Sequence, residues 1–227
     1  MKFRIGNYFI CIVLFLFMFS CKKDNTSDIV CKDADGNVYK TVKIGNQMWM
    51  AENLKTTHYN NGDRIDTTTS VNLNYSIESS PKYQWPAGGD KVNVPIYGRL
   101  YTWFAATDSR SICPTGWHLP SQQEWETIVN YLGGYTVAGG KMKEIGTIHW
   151  TTPNNGADNS SGFTALPSGN HVQYGFFNTI GETCCWWSST EWDNVNIFTP
   201  YLNYDSGEIH LLNFDRNGGF SIRCIKD

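Results

Sequence analysis

The 227-residue chain carries little charge, only 17% of its residues, and neither sign dominates: 18 Lys and Arg stand against 21 Asp and Glu. Lys2 and Arg4 fall among the first 20 residues, which leaves 16 against 21 for the remainder. A mildly acidic surface offers no basic footprint to a phosphate backbone, so nucleic acid is not an expected partner. No apolar run reaches membrane-spanning length. The stretch Tyr8–Phe19 has 12 residues, whereas a helix needs about 20 to cross the hydrocarbon core.

Motifs for catalysis and metal binding are missing as well. His58, His118, His149, His171 and His210 form no HExxH or HxH group. There is no GxSxG nucleophile turn and no GxGxxG dinucleotide loop. Gly139-Gly140-Lys141 suggests a phosphate loop, but Tyr135 stands where the first Gly belongs and Met142 where a magnesium-binding hydroxyl is needed. Asp33, Asp35 and Asn37 suggest a calcium loop. Gly36 is fourth there rather than sixth, which reads as a turn. The expectation is a protein that is not an enzyme and has no metal and no cofactor. What the chain does have is 9 Trp, 21 Gly and 7 Cys, with aromatics at 15%. Such content suits one compact domain.

Residues 1–20 read as an export signal, since Lys2 and Arg4 precede the apolar stretch and Ser20 precedes Cys21. Met18-Phe19-Ser20-Cys21 resembles the lipobox of bacterial lipoproteins, with Met in place of the usual Leu. That resemblance implies cleavage before Cys21 and acylation of that residue. Residues 21–30 then form a lipidated tether, and the membrane is a partner through the anchor. The expected location is the cell envelope, at the outer membrane or cell surface. Export leaves Cys31, Cys113, Cys184, Cys185 and Cys224 in a disulfide-permissive compartment. Five is odd, and spacing alone leaves the connectivity open. Adjacent Cys184-Cys185 admits a redox pair. The plainer expectation is that at most one of them bonds, with Cys31 as a partner, while the other packs as a small apolar residue.

Asp35-Gly36 predicts a hairpin over residues 30–44, followed by a core strand at Gln47–Met50. Residues 60–95 are rich in Asn, Thr, Ser, Gly and Asp and read as loop. Leu100, Trp103, Phe104 and Thr107 follow helical spacing, which predicts a helix over 98–107. A second helix starts at Ser121, with Glu124 completing a capping box and Gly133-Gly134 ending it. Short strands are predicted at Gly162–Pro167 and Trp186–Thr190. A C-terminal meander follows through Pro200–Tyr204, Ile209–Phe214 and Phe220–Ile225, with Phe220, Ile222 and Cys224 on one face. The fold class is α+β.

Several segments carry a resemblance across residues 31–227, in one order: Asp35–Tyr39, Ile44–Lys55, Tyr97–Trp103, Cys113–Ser121, Gly162–Gly169, Trp187–Glu191 and Ser221–Cys224. They resemble the Fibrobacter succinogenes major paralogous domain, typical of secreted and lipid-anchored proteins of Bacteroidota and Fibrobacterota. The resemblance implies a C-type lectin-like domain with two short helices and short antiparallel strands, and a disulfide between Cys113 and Cys224. Calcium-dependent lectins use Glu-Pro-Asn or Gln-Pro-Asp, neither present here; Glu191-Trp192-Asp193-Asn194 is loosely similar to their Trp-Asn-Asp strand. Leu119–Glu126 also resembles a helix start in the formylglycine-generating sulfatase-modifying family, whose catalytic cysteines have no counterpart in adjacent Cys184-Cys185.

Trp117, Trp125, Trp186 and Trp187 are expected in the core. Trp85 and Trp192 lie in polar stretches and, with Glu191, Asp193 and Asn194, are the candidate ligand-binding residues. The functional expectation is a lipid-anchored, noncatalytic binding or adhesion module with a glycan or a surface protein as ligand. The alternatives are an envelope structural or assembly protein without a small ligand, and an oxidase related to the sulfatase-modifying family.

Overall fold

The computed structural model describes residues 1, 30–67, 80–172, 176–178 and 180–227. The export signal, Cys21 and most of the tether lie outside the described residues. No helix among the described residues is long and apolar enough to cross a membrane.

Strands β1 (Cys31–Lys32) and β2 (Val38–Tyr39) form the first hairpin, and β3 (Thr41–Ile44) and β4 (Gln47–Met50) form the second. The first turn is held by Asp33, whose carboxylate accepts from the Asp35 and Asn37 amides at 3.0 and 2.9 Å and from the Asn37 side chain at 2.8 Å. That carboxylate also takes the Tyr39 hydroxyl, so the suspected calcium loop is a stapled turn. Next come β5 (Asp66–Thr67), β6 (Lys82–Gln84), helices α1 (Pro86–Gly89) and α2 (Val94–Tyr97), β7 (Leu100–Thr102), α3 (Trp103–Ala106) and β8 (Trp117–His118). The two longest helices among the described residues, α4 (Gln122–Tyr131) and α5 (Tyr135–Met142), precede β9 (Asn170–Val172), β10 (Phe176–Asn178), β11 (Thr183–Cys185), β12 (Asn196–Asn203), β13 (Ile209–Asp215), β14 (Gly219–Phe220) and β15 (Ile225–Lys226). Apart from parallel β5–β6, the strands pair antiparallel, and the class is α+β.

Several local expectations need correction. Residues 98–107 are not one helix: β7 pairs with β6 and β14, and only then does Thr102 cap α3 by accepting from the Ala105 amide at 3.3 Å. Helical spacing of the apolar residues also fits a strand that turns into a helix. Two short helices were expected and five α-helices are seen among the described residues, because α1 and α2 lie in and at the end of the loop-like stretch and α5 follows α4 directly. In α5, Gly139 and Gly140 lower helix propensity, yet a Cβ there would come within 2.3 Å of the Glu208 carbonyl oxygen and 2.2 Å of that of Gly156. Close backbone packing requires these glycines. Gly162–Pro167 forms a single bridge, Ala165 to Lys143, rather than a strand, and the strand expected at Trp186–Thr190 ends at Cys185.

The sheets run β10-β9-β14-β7-β6-β5, β11-β12-β13 and β3-β4-β15-β8. The C-terminal meander holds for β12 and β13, but the final run then leaves it. Phe220 pairs in the first of these sheets and Ile225 in the last. Between them, the Leu54 amide donates to the Ile222 carbonyl at 2.9 Å and the Met50 amide to the Cys224 carbonyl at 3.0 Å. Phe220, Ile222 and Cys224 enter one buried cluster with Trp103, Trp117 and Trp187, as their alternation predicts. Ile225 enters another, with Trp49, Trp125, Trp150 and Trp186.

Cys113 and Cys224 are disulfide-bonded across 111 residues of sequence. Cys31, Cys184 and Cys185 are buried free thiols, so the expected bond to Cys31 does not form. Burial pushes the Cys31 and Cys185 thiols up to about 12 and raises Cys184 too. The capping box of α4 is present: the Glu124 amide donates to Ser121 Oγ at 3.3 Å and the Ser121 amide to Glu124 Oε2 at 2.8 Å.

His118 links α4 to the chain end, with Nε2 2.9 Å from Glu124 Oε1 and Nδ1 2.6 Å from Asp227 Oδ1. Burial opposes its charge, but the hydrogen bonds to Asp227 and Glu124 outweigh it and raise its pKa above 6.5. The stability it contributes is full below pH 6.5 and is lost as pH rises through the raised pKa. In urea titrations, wild type should lose more stability than His118→Gln between about pH 6 and pH 8; parallel pH profiles would count against the clamp. Closing a loop of this length by a disulfide is worth about 4 to 5 kcal/mol in the chain-entropy treatment. Cys113→Ser should therefore lower the melting temperature of the oxidised protein by at least 10 °C or so. An unchanged melting curve would remove the disulfide from the stability argument.

Candidate functional site

A cleft of about 490 Å³ opens among the described residues. One part of its wall comes from Lys40, Thr41 and Val42 at the start of the β3–β4 hairpin, and another from Ala51 and Glu52 just beyond its end. Pro95 and Ile96 of α2 contribute an apolar part, and His149, Thr164 and Leu166 complete the lining. At its base lie two buried polar side chains, Asn53 and Arg223.

These two residues gather distant segments. Asn53 Oδ1 accepts from the Trp186 indole at 2.9 Å and from Arg223 Nε at 2.8 Å. Its amide nitrogen donates to the Tyr97 carbonyl at 2.9 Å and to Ser221 Oγ at 3.2 Å. Arg223 also donates from Nη1 to the Phe163 carbonyl and from Nη2 to the Thr164 carbonyl at 2.9 Å. Its guanidinium lies 4.1 Å from the Phe163 ring centroid and 5.6 Å from that of Trp186. Burial pulls its pKa below the usual arginine value, with opposing help from Cys184 and Glu52. The acceptors are uncharged, so no carboxylate neutralises this cation by direct contact. Gly98 makes the packing possible: at φ +77° it lies so close to Asn53 that a Cβ would meet the Asn53 Cβ at 2.6 Å.

Two polar groups of the lining already have partners. Lys55 Nζ lies 2.8 Å from Glu52 Oε2, and the Lys40 amide donates to Glu52 Oε1 at 3.3 Å. Burial opposes ionisation of Glu52, but the hydrogen bond from Lys55 prevails and lowers its pKa. His149 Nδ1 lies 2.8 Å from Glu144 Oε2, and its ring stands edge-on to Tyr97 at 5.7 Å. Lys40 is exposed and makes no ion pair among the described residues, though its charge acts on Glu52. The arrangement can hold a small ligand between polar and aliphatic surfaces. Among the described residues, no group of three His, Cys, Asp or Glu side chains is placed to hold a metal ion.

The residues expected to bind ligand lie elsewhere. Trp85 is half-buried at the start of α1, and Trp192 is 56% exposed with its ring edge-on to Phe198 at 4.9 Å. Neither lines the cleft. Glu191 Oε2 takes Arg216 Nη2 at 3.2 Å. Asp193 Oδ1 accepts from the Val195 and Asn196 amides at 2.7 and 2.8 Å. The Asn196 side chain and these amides hold the Asp193 carboxyl below its usual range. Asn194 is exposed on the same turn. The two carboxylates thus serve an ion pair and a turn, not a common cage. Trp117, Trp125, Trp186 and Trp187 are buried as expected.

The segments Ile44–Lys55, Tyr97–Trp103, Gly162–Gly169 and Ser221–Cys224 meet at Asn53 and Arg223. The model of the Fibrobacter succinogenes major domain family (Fib_succ_major) matches residues 42–226. The chain belongs to this family. The Fibrobacter succinogenes major domain match starts inside β3, so the first hairpin precedes it. No curated protein and no solved structure matches the chain. The motif segments contained the two key residues, but their partnership spans 170 positions and had no local signature. Lys40, Ile96 and His149 carry no sequence signal that marks them as cleft residues.

Removing the hub should be costly. Asn53→Leu strands the Arg223 and Trp186 donors and should cost about 3 kcal/mol or more in urea unfolding. Exposed Asn194→Leu should change stability by less than about 0.5 kcal/mol. Equal effects would deny Asn53 its central place.

Proposed function

We propose that this protein is a noncatalytic binding or adhesion module with a C-type lectin-like fold, held by a lipid on Cys21 at the outside of the cell envelope. The observation that carries the binding reading is the cleft over Asn53 and Arg223, where polar groups sit beside Val42, Pro95, Ile96 and Leu166. Mixed lining of this kind suits a ligand with polar groups on an apolar skeleton, such as a glycan or a surface peptide. The fold reading is supported by the pairing of β4 with the final strand β15 and by a disulfide from ahead of α4 to the chain end. The anchor reading rests on the lipobox-like sequence. An oxidase using Cys184 and Cys185 loses support, because both thiols are buried and their pKa values are raised, which disfavours the reactive thiolate.

The cleft is a better seat for a ligand than the Trp192 turn because it is concave and flanked by several elements. An array of glycans and short peptides, probed with the full chain in detergent with and without calcium, tests this. Saturable binding that survives Trp192→Ala and is lost on Ile96→Trp, which narrows the cleft, is the expected result. Loss on Trp192→Ala alone would move the site to the turn. Silence across the array would favour a structural role in the envelope. Protease added to intact cells should remove the domain if it faces outward.

A further inference from the structure

The cleft has an unbalanced charge at its base. Arg223 is only 1% exposed, yet its three hydrogen-bond acceptors are Asn53 Oδ1 and the Phe163 and Thr164 carbonyl oxygens. A guanidinium carries five N–H donors. The three contacts leave one N–H on each Nη without a protein acceptor among the described residues. Of the other polar groups at the cleft, His149 bonds to Glu144, and Glu52 pairs with Lys55 while lying close enough to Lys40 and Arg223 for its charge to act on both; Lys40 stands exposed at the rim with no ion pair among the described residues. One carboxylate at the cleft, Glu52, thus faces three cations, Lys55, Lys40 and Arg223, and the balance of charge there is positive. A buried cation without an anionic partner is costly, and a ligand that brings the missing charge recovers part of that cost on binding.

Resting on the reading of the cleft as a ligand site, we propose that it selects a carboxylate-bearing ligand, its anionic group drawn to Arg223 and Lys40 and its carbon skeleton set against Val42, Ile96 and Leu166. A uronic acid and the terminal carboxylate of a peptide share this chemistry. Neutral counterparts of each lack the charge that the cleft leaves unmatched.

Calorimetry on the full chain in detergent tests the assignment with four probes: glucuronate, glucose, an acetylated dipeptide acid and its amide. At least one acid should bind about tenfold or more tightly than its neutral counterpart, and which acid does so identifies the source. Its affinity should fall with added salt, and Lys40→Glu should weaken it about tenfold with an unchanged melting temperature. The Arg223 Nε–Hε resonance should shift on titration with that acid, a readout that needs no substitution in the buried base. Equal affinities for acid and neutral forms, with binding still lost on Ile96→Trp, would overturn the carboxylate assignment while leaving the cleft as a binding site. Absence of binding by all four probes together with silence on the array would overturn both.

Discussion

The structure depends on how one buried cation is satisfied. Arg223 sits between two aromatic rings and gives its hydrogen bonds to a side-chain amide and two backbone carbonyls. Each acceptor belongs to a segment that is irregular at that point, so the guanidinium fixes chain that no sheet ladder would otherwise hold. Asn53 does the complementary work, with its amide accepting twice and donating twice. Polar groups buried to this depth are tolerated only when their partners are in place, and correct placement then becomes a condition for the whole arrangement.

A second buried cation follows the same rule. Lys143 donates to the Asn155, Asn203 and Ser206 carbonyls at 2.9, 3.0 and 2.8 Å, and burial pulls its pKa down to about 8. It binds the end of α5 to the loop before β13 much as Arg223 binds the last strand to the centre. Long loops between short strands leave many carbonyls without ladder partners, and a buried ammonium or guanidinium collects several at once. The aromatic residues fill the remaining space. Trp49, Trp125, Phe163 and Trp186 meet at centroid distances between 4.7 and 6.0 Å.

Much of the local structure could be read from the chain because its causes are local. Ser121 and Glu124 cap a helix within four residues, and Gly36 turns a hairpin within nine. The alternation of Phe220, Ile222 and Cys224 also announced a buried face. Where tertiary packing set the outcome, local rules failed: Gly139 and Gly140 look like helix breakers until the backbones of residues 156 and 208 are brought against them. The cleft was less legible still. Its base residues lie within recognisable segments, but the Asn53–Arg223 contact and the pairing of Thr41 with Met50 create the concavity only after folding. Exposed Trp192 drew attention by its composition, whereas the better-formed concavity is lined without tryptophan.

The placement of residues 221–226 between sheets and cores sets an order of events during synthesis. Asn53 and the first hairpins are made well before Arg223, and until it arrives Asn53 lacks the donor that ties it to the Phe163 and Thr164 carbonyls. A clip or stop codon that removed these few residues would not yield a slightly shorter domain. It would take β15 from its sheet, the guanidinium from Asn53 and the cysteine from the disulfide.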